Sequence, residues 1–397
     1  MTEALIYLED DLPGLPEDLM LARDQGRVLF LTGAGVSAPA PSSLPNFQGL
    51  VCEIAKRLDA RLGQAMYEWI EEKTSPSSVP KAIEAFMEGL DPRQCAEFKR
   101  FISNEFDMVL GMLERRMARA SEPVSSLRAA AREVLDAAVS PNALHASINL
   151  LARRFGELLV ATTNFDRLHE EAARPEKVAS YGLEGLPRAS SGPGFNGVFH
   201  IHGVLDAKQS RQLVLTDQDF GDLYLRRRLT ADFIYDAARI FHLVIVGYSV
   251  NDPPFRYLMN AVAGDSLHFP DLKDRYVFAP RDAGDLTIGE DWSARSIIPI
   301  CYDKADQHEE LARLLKAWAA SIPPTGEDRW ARRKLKQVCS KPRGEAAEAD
   351  VALFGYIFRR ALRTEQGTLA RFLGQIGADP GWLDEAIKVL REPRSSS

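Results

Sequence analysis

The chain has 397 residues, 45% hydrophobic and 26% charged, a globular composition that excludes disordered and fibrous classes. Its net charge of −7 makes it a poor non-specific nucleic-acid binder, and no run of 18 or more apolar residues reads as a membrane span. The acidic start MTEALIYLEDDLPGLPEDL is unlike a signal peptide, so a cytoplasmic protein is expected. Cys52, Cys95, Cys301 and Cys339 form no CxxC pair, which argues for scattered free thiols over disulfides or a structural zinc site.

Short apolar runs read as buried strands at Val28–Thr32, Leu158–Thr163, Gly197–Ile201, Gln212–Leu215, Leu243–Gly247, Tyr276–Ala279 and Ile297–Tyr302. Most are apolar throughout, as when helices cover both faces of a sheet. Helical segments alternate with many of them, so the fold class is α/β, a Rossmann-like doubly wound parallel sheet. Residues 50–140 carry helical patterns and no convincing strand, a helical insertion between the first two strands. From about Gln307 onward the chain is again helical, with linker-like SIPPTGED and KPRGEAAEAD between segments. The expected organisation is 1–305 as the nucleotide-binding domain and 306–397 as a helical region for packing, assembly or partner binding. From Gly326 on there are 14 basic and 10 acidic residues. The dense stretch Arg329-Trp-Ala-Arg-Arg-Lys-Leu-Lys-Gln is either a solvated helix face or a contact for nucleic acid or an acidic partner.

Four strand ends hold the chemistry-bearing residues. Thr32-Gly-Ala-Gly-Val-Ser37 follows the first strand. A glycine pair between a strand and a helix brings backbone N–H groups to a pyrophosphate at the helix N-terminus, and it is equally a tight turn with no ligand. Ala161-Thr-Thr-Asn-Phe-Asp166 places Asn164 and Asp166 at the carboxyl edge of the sheet, where ligands bind, unless they only cap the next helix. In Phe199-His-Ile-His-Gly203, strand alternation puts His200 and His202 on one face, without an evident third metal ligand. Leu243–Gly247 runs into Tyr248, Ser249 and Asp252, with a helix expected from about Pro254.

GAGVS, TTNFD followed by L-H-E, H-x-H-G and GYSVNDPPF, in this order, resemble the sirtuin superfamily, and more closely the sirtuin-like domains of bacterial anti-phage defence proteins. Pro141-Asn-Ala-Leu-His145 and VLTDQDFGDLY (Val214–Tyr224) fit the same pattern, and the resemblance spans roughly Asp24 to Tyr302. It implies that Gly33, Ala34, Gly35 and Ser37 wrap the NAD phosphates. It implies that Asn164 and Asp166 line the pocket for nicotinamide and its ribose, with His202 as the catalytic base and Thr163 among the cofactor-binding residues. Gly247 and Ser249 fall on the adenine-side ribose and phosphate, and Asp252 is counted with the cofactor-binding residues. An imidazole near its usual pKa of ~6.5 accepts a proton at cellular pH.

The departures narrow the reaction. Deacetylating sirtuins carry a zinc module with two CxxC pairs soon after the catalytic histidine. Here no cysteine follows His202 until Cys301, so no zinc is expected. The familiar GIPDFR loop is Leu44-Pro-Asn-Phe-Gln48, the segment from Ser37 to Pro45 is longer by two residues, and the Gln of TQNxD is Thr163. Peptide deacylation is therefore disfavoured and water becomes the acceptor. The implied enzyme is an NAD+ glycohydrolase releasing ADP-ribose and nicotinamide in anti-phage defence, a homo-oligomer paired with a HerA-like ATPase. The rival readings are a protein ADP-ribosyltransferase and a non-catalytic sensor of NAD or ADP-ribose that regulates a partner.

Overall fold

The computed structural model describes residues 4–75, 81–118, 125–136, 140–205, 213–248, 259, 262, 272–282, 284–285, 287–322 and 328–391. Seven parallel strands form its centre: β1 (Val28–Thr32), β2 (Glu157–Thr162), β3 (Ser180–Tyr181), β4 (Gly197–His200), β5 (His242–Val246), β6 (Arg275–Arg281) and β7 (Ile298–Asp303). Their spatial order is β7-β6-β5-β1-β2-β4-β3, and Arg153–Arg154 adds a short antiparallel piece beside β2. The doubly wound α/β sheet of the sequence reading is present. The chain winds outward from β1 in one direction and then returns to its other side at β5. The carboxyl ends of β1 and β5 therefore flank a topological switch point, where open α/β sheets bind ligands.

Strand alternation explains why these runs are apolar throughout. Val28, Phe30, Leu158, Val160, Val244 and Val246 enter one core, while Leu29, Leu31, Leu159, Ala161, Leu243 and Ile245 enter the core on the opposite face. The second face is covered by α11 (Leu229–Ile240) and α12 (Thr287–Ser293), through Phe233, Ile234, Ala237 and Trp292. The first is covered by α1 (Glu17–Asp24), α8 (Ala143–Leu151) and the C-terminal helices. These are α13 (Ala305–Ala320), α14 (Arg329–Val338), α15 (Glu348–Arg360), α16 (Arg363–Gln375) and α17 (Pro380–Arg391).

The C-terminal helices share one apolar core with the sheet. The Trp318 ring lies 6.0 Å from Phe30 and 6.4 Å from Phe278, and Tyr356 Oη donates to Asp24 at 2.7 Å. In the basic α14, Trp330, Ala331, Leu335 and Val338 are buried while Arg329, Arg333 and Lys336 stand exposed, so one face packs and the other is solvated.

The described parts of 50–140 hold only helices, as their periodicity predicts: α2 (Phe47–Leu58), α3 (Ala60–Thr74), α4 (Ile83–Met87), α5 (Pro92–Ile102), α6 (Phe106–Met117) and α7 (Ser126–Leu135). They enclose a core of their own around Phe98, Phe101, Leu110 and Leu127. The strand expected at Gln212–Leu215 is a correction. Gln212 lies outside the described residues, and Leu213–Leu215 joins no sheet. Leu213 and Leu215 are apolar because they fill the helical insertion's core, and the Val214 amide donates to the His202 carbonyl at 3.0 Å. The helix expected from Pro254 lies outside the described residues. No helix among the described residues is long and apolar enough to cross a membrane, and all four cysteines are free thiols.

Candidate active site

The loop after β1 is shaped by glycine. A single 3₁₀ turn, Ala34–Val36, follows β1, and the next α-helix begins only at Phe47. The expectation of a helix N-terminus directly behind the glycines is thereby corrected. The amides of Gly33 and Gly35 donate to Val246 O at 2.9 Å and Gly247 O at 3.0 Å, and those of Val36 and Ser37 close the turn on Gly33 O and Ala34 O. These four N–H groups are thus satisfied by protein carbonyls. The glycines are needed for contact: a Cβ on Gly33 would lie 2.7 Å from Gly247 O, and one on Gly35 2.9 Å from Gly247 Cα. Gly247 itself holds φ +75, which L side chains rarely adopt. The three glycines let the ends of β1 and β5 touch.

The loop delivers Ser37 to a buried polar network. Ser37 Oγ donates to Asp166 Oδ2 at 2.9 Å, and Asn164 Nδ2 donates to Ser37 Oγ at 3.0 Å and to Gly33 O at 3.2 Å. His145 Nε2 lies 3.2 Å from the same hydroxyl. The one hydroxyl proton is engaged by the carboxylate. His145 Nδ1 lies 3.3 Å from the Asn142 amide nitrogen and 3.0 Å from Asn142 Oδ1, within the capping box that opens α8. Full burial pushes the His145 pKa down to about 4, consistent with a neutral ring.

Asp166 serves two ends at once. Oδ1 accepts at 3.0 Å from the amide of Leu168, the first residue of α9 (Leu168–Ala172), while Oδ2 faces Ser37. The bond to the helix start and site lining are compatible because each uses a different oxygen. Burial raises the Asp166 pKa, and the two donated hydrogen bonds offset part of that rise. Thr163 Oγ1 accepts from Tyr248 Oη at 3.0 Å, which ties the end of β2 to the loop after β5.

The two histidines of FHIHG part company. His200 ends β4, with Nδ1 3.1 Å from Asn164 O and Nε2 3.0 Å from Glu170 Oε1. His202 lies past the strand, 5% exposed, with Nε2 2.7 Å from Tyr224 Oη. The metal-like pairing that alternation allows is absent because the strand stops between them. Among the described residues no three His, Cys, Asp or Glu side chains gather to hold a metal ion. The pKa of ~6.5 assumed for His202 is corrected too: burial lowers it to about 3.

A cavity of about 780 Å³ opens over these groups, within the size range of small-molecule and cofactor sites. Ala34, Gly35, Ser37, Thr163, Asn164, Asp166, His202 and Gly247 all line it. Gly33 contributes backbone next to it, whereas Ser249 and Asp252 lie outside the described residues. Patterns of strand ends did not reveal the rest of the wall. Asn104, Phe106 and Asp107 come from the helical insertion, Phe220 from the segment after His202, and Tyr302 and His308 from the far edge of the sheet. Burial raises the Asp107 carboxyl pKa, with Asp217 and Glu105 nearby adding to the rise. Only their fold positions mark these residues.

A model described as "SIR2-like domain" matches residues 158–300, from β2 to β7. Over this stretch the chain is similar to SIR2-like domains. The SIR2-like segment holds Thr163, Asn164, Asp166, His202 and Gly247, while the glycine loop lies before it. A protein of Sinorhizobium fredii (strain NBRC 101917 / NGR234), named "Uncharacterized protein y4cA", is 29% identical over 392 residues. The alignment takes in 96% of this chain and 29% of that relative's length. A solved structure titled "Structural Basis for the Mechanism and Regulation of Sir2 Enzymes" aligns with 78% of this chain and 98% of its own, at 14% identity and a TM-score of 0.34.

Proposed function

We propose that this protein is an NAD+ glycohydrolase that cleaves NAD+ to ADP-ribose and nicotinamide. A SIR2-like domain points to NAD-dependent chemistry in general. The observation that carries the finer reading is one cavity lined by an amide, a carboxylate and an imidazole, Asn164, Asp166 and His202, which reach it from the ends of β2 and β4.

The chemistry suits those groups. As the C1′–N bond lengthens, its electron pair moves to the nicotinamide nitrogen, which leaves neutral, and positive charge develops on the ribose. The Asp166 carboxylate, already oriented by Ser37 and the Leu168 amide, stabilises that charge in a water-poor pocket. Both protons of the Asn164 amide nitrogen are engaged by Gly33 and Ser37, which directs Oδ1 to accept from a water or a carboxamide N–H. Water attacks C1′ and passes its proton to the neutral His202 ring. Phe106, Phe165 and Phe220 supply an aromatic, apolar part of the cavity wall. Because the Gly33, Gly35 and Ser37 amides are spent on protein carbonyls, the glycine loop Gly33, Ala34, Gly35 and Ser37 is assigned to the phosphates as a surface for close backbone approach and not as a set of free N–H donors, with Gly247 and Ser249 assigned to the adenine-side ribose and Asp252 counted with the nucleotide-binding residues.

In the cell we place this reaction in anti-phage defence by NAD+ depletion, in the cytoplasm, by a homo-oligomer with a HerA-like ATPase partner and without zinc. The test is incubation with NAD+, with and without that partner, followed by mass spectrometry. Nicotinamide and ADP-ribose should appear in equal amounts. Asn164→Ala and His202→Ala should each abolish release while leaving the circular dichroism spectrum unchanged. Label transferred to protein would replace this reading with ADP-ribosyl transfer. Binding without turnover in every condition would replace it with a nucleotide sensor.

A further inference from the structure

His202 has two ring nitrogens, and the structure treats them differently. Nε2 is 2.7 Å from Tyr224 Oη. Nδ1 has no hydrogen-bond partner among the described residues, and His202 lines the cavity. Two aromatic rings hold the imidazole edge-on: Phe220 with centroids 5.3 Å apart at 87°, and Tyr224 with centroids 5.8 Å apart at 73°.

Tyr224 is itself held in place. It lies on the π-turn Gly221–Arg226, a rare geometry associated with functional sites, directly after α10 (Asp217–Phe220). A capping box between Thr216 and Asp219 opens α10. Arg128 of the helical insertion grips both Asp219 oxygens at 2.8 Å. The insertion thereby fixes the segment that touches His202.

We infer that Tyr224 is the positioning residue of His202: Nε2–H donates to the phenol oxygen, and the Nδ1 lone pair is the basic site presented to the cavity. A neutral imidazole has one N–H, and the hydrogen bond made by one nitrogen decides which is left basic. The opposite tautomer would aim an N–H into the cavity and leave His202 no basic nitrogen there. This assignment rests on the reading of His202 as the base in NAD+ cleavage.

The test separates the two claims. Nitrogen-15 NMR of histidine-labelled, unliganded protein reports the tautomer, with the His202 signals assigned by their loss in His202→Gln. The wild type should show protonated Nε2 and unprotonated Nδ1. Tyr224→Phe, which keeps the ring and removes the hydroxyl, should show a mixture of tautomers. Its kcat for nicotinamide release should fall about tenfold with KM changed less than about twofold. Phe220→Leu loosens the packing but spares the hydroxyl and should keep the wild-type tautomer. Protonated Nδ1 in the wild type overturns the inference, as does Tyr224→Phe with an unchanged tautomer or an unchanged kcat. If the wild type releases no nicotinamide, the glycohydrolase reading falls, and the tautomer measurement still decides the role of Tyr224.

Discussion

Ser37 is the residue on which the cavity's polar groups depend most. Its hydroxyl accepts from Asn164, donates to Asp166 and lies 3.2 Å from His145 Nε2, so two side chains of the loop after β2 and one of α8 take their orientation from one oxygen. Being 2% exposed, it has little water to replace it. Ser37→Ala should destabilise the protein by ~1–3 kcal/mol, the cost of leaving buried partners unpaired. It should slow nicotinamide release by up to about 100-fold, since misplaced groups of this kind lose that much rate. Thermal denaturation and a release assay check both. A wild-type rate would show that Asp166 and Asn164 keep their places without it. In the sequence Ser37 is visible only as part of GAGVS. Its contact with His145, 108 positions away, exists only once β1 and α8 have folded together.

At the scale of elements, the glycines and the helical insertion decide how the strand ends meet. Gly35→Ala would bring a Cβ within 3.0 Å of two Gly247 backbone atoms and push the β1 and β5 loops apart. A cost of ~1–3 kcal/mol is expected, as for other overpacked sites, together with weaker binding of ADP-ribose by calorimetry. Unchanged stability and affinity would mean that the two loops can separate freely. Arg128 joins the insertion to the segment after His202 through Asp219, and it is 13% exposed. Arg128→Met should lower stability by about 2 kcal/mol, the scale of a hydrogen bond to a charged group. It should also speed hydrogen exchange at the Leu215 and Thr216 amides, which donate to the same carboxylate. Protection equal to wild type would mean that the segment is held by other contacts. The apolar run Leu213–Leu215 read as a strand for a physical reason: a continuously buried extended segment has the same composition whether it joins a sheet or lines a helical core.

For the molecule as a whole, buried histidines set its response to acid. His145, His169 and His202 are all nearly inaccessible, and desolvation lowers each pKa, to about 4 for His145 and about 3 for His202. A ring whose folded pKa lies below its unfolded value of ~6.5 takes up its proton first in the unfolded chain. Its contribution is fully present above about pH 6.5 and declines as pH falls, by ~1.4 kcal/mol per pH unit per ring. Glu170, held down to about 2 by the His200 contact against the opposing cost of burial, adds a further loss below its unfolded pKa of ~4.5. Denaturant melts between pH 7.5 and 4.5 should show stability flat to about pH 6.5 and then dropping steeply. His202→Gln should shallow the drop, and a flat profile across that window would refute the buried neutral state of these rings.

The amino-acid sequence by itself determined the parallel α/β class, the helical character of residues 50–140 and of the C-terminal region, and the strand ends that hold Gly35, Asn164, Asp166, His202 and Gly247. These are local facts: apolar runs, helical periodicity and polar residues just past a strand depend on neighbours along the chain. Tertiary structure alone decided that Ser37, His145 and Asp166 form one network, that His202 is buried against Tyr224 while His200 turns to Glu170, and that the insertion supplies a wall of the cavity. Each depends on distances between segments far apart in sequence, and no pattern of residue types records which hydroxyl faces which ring or how much water reaches an imidazole.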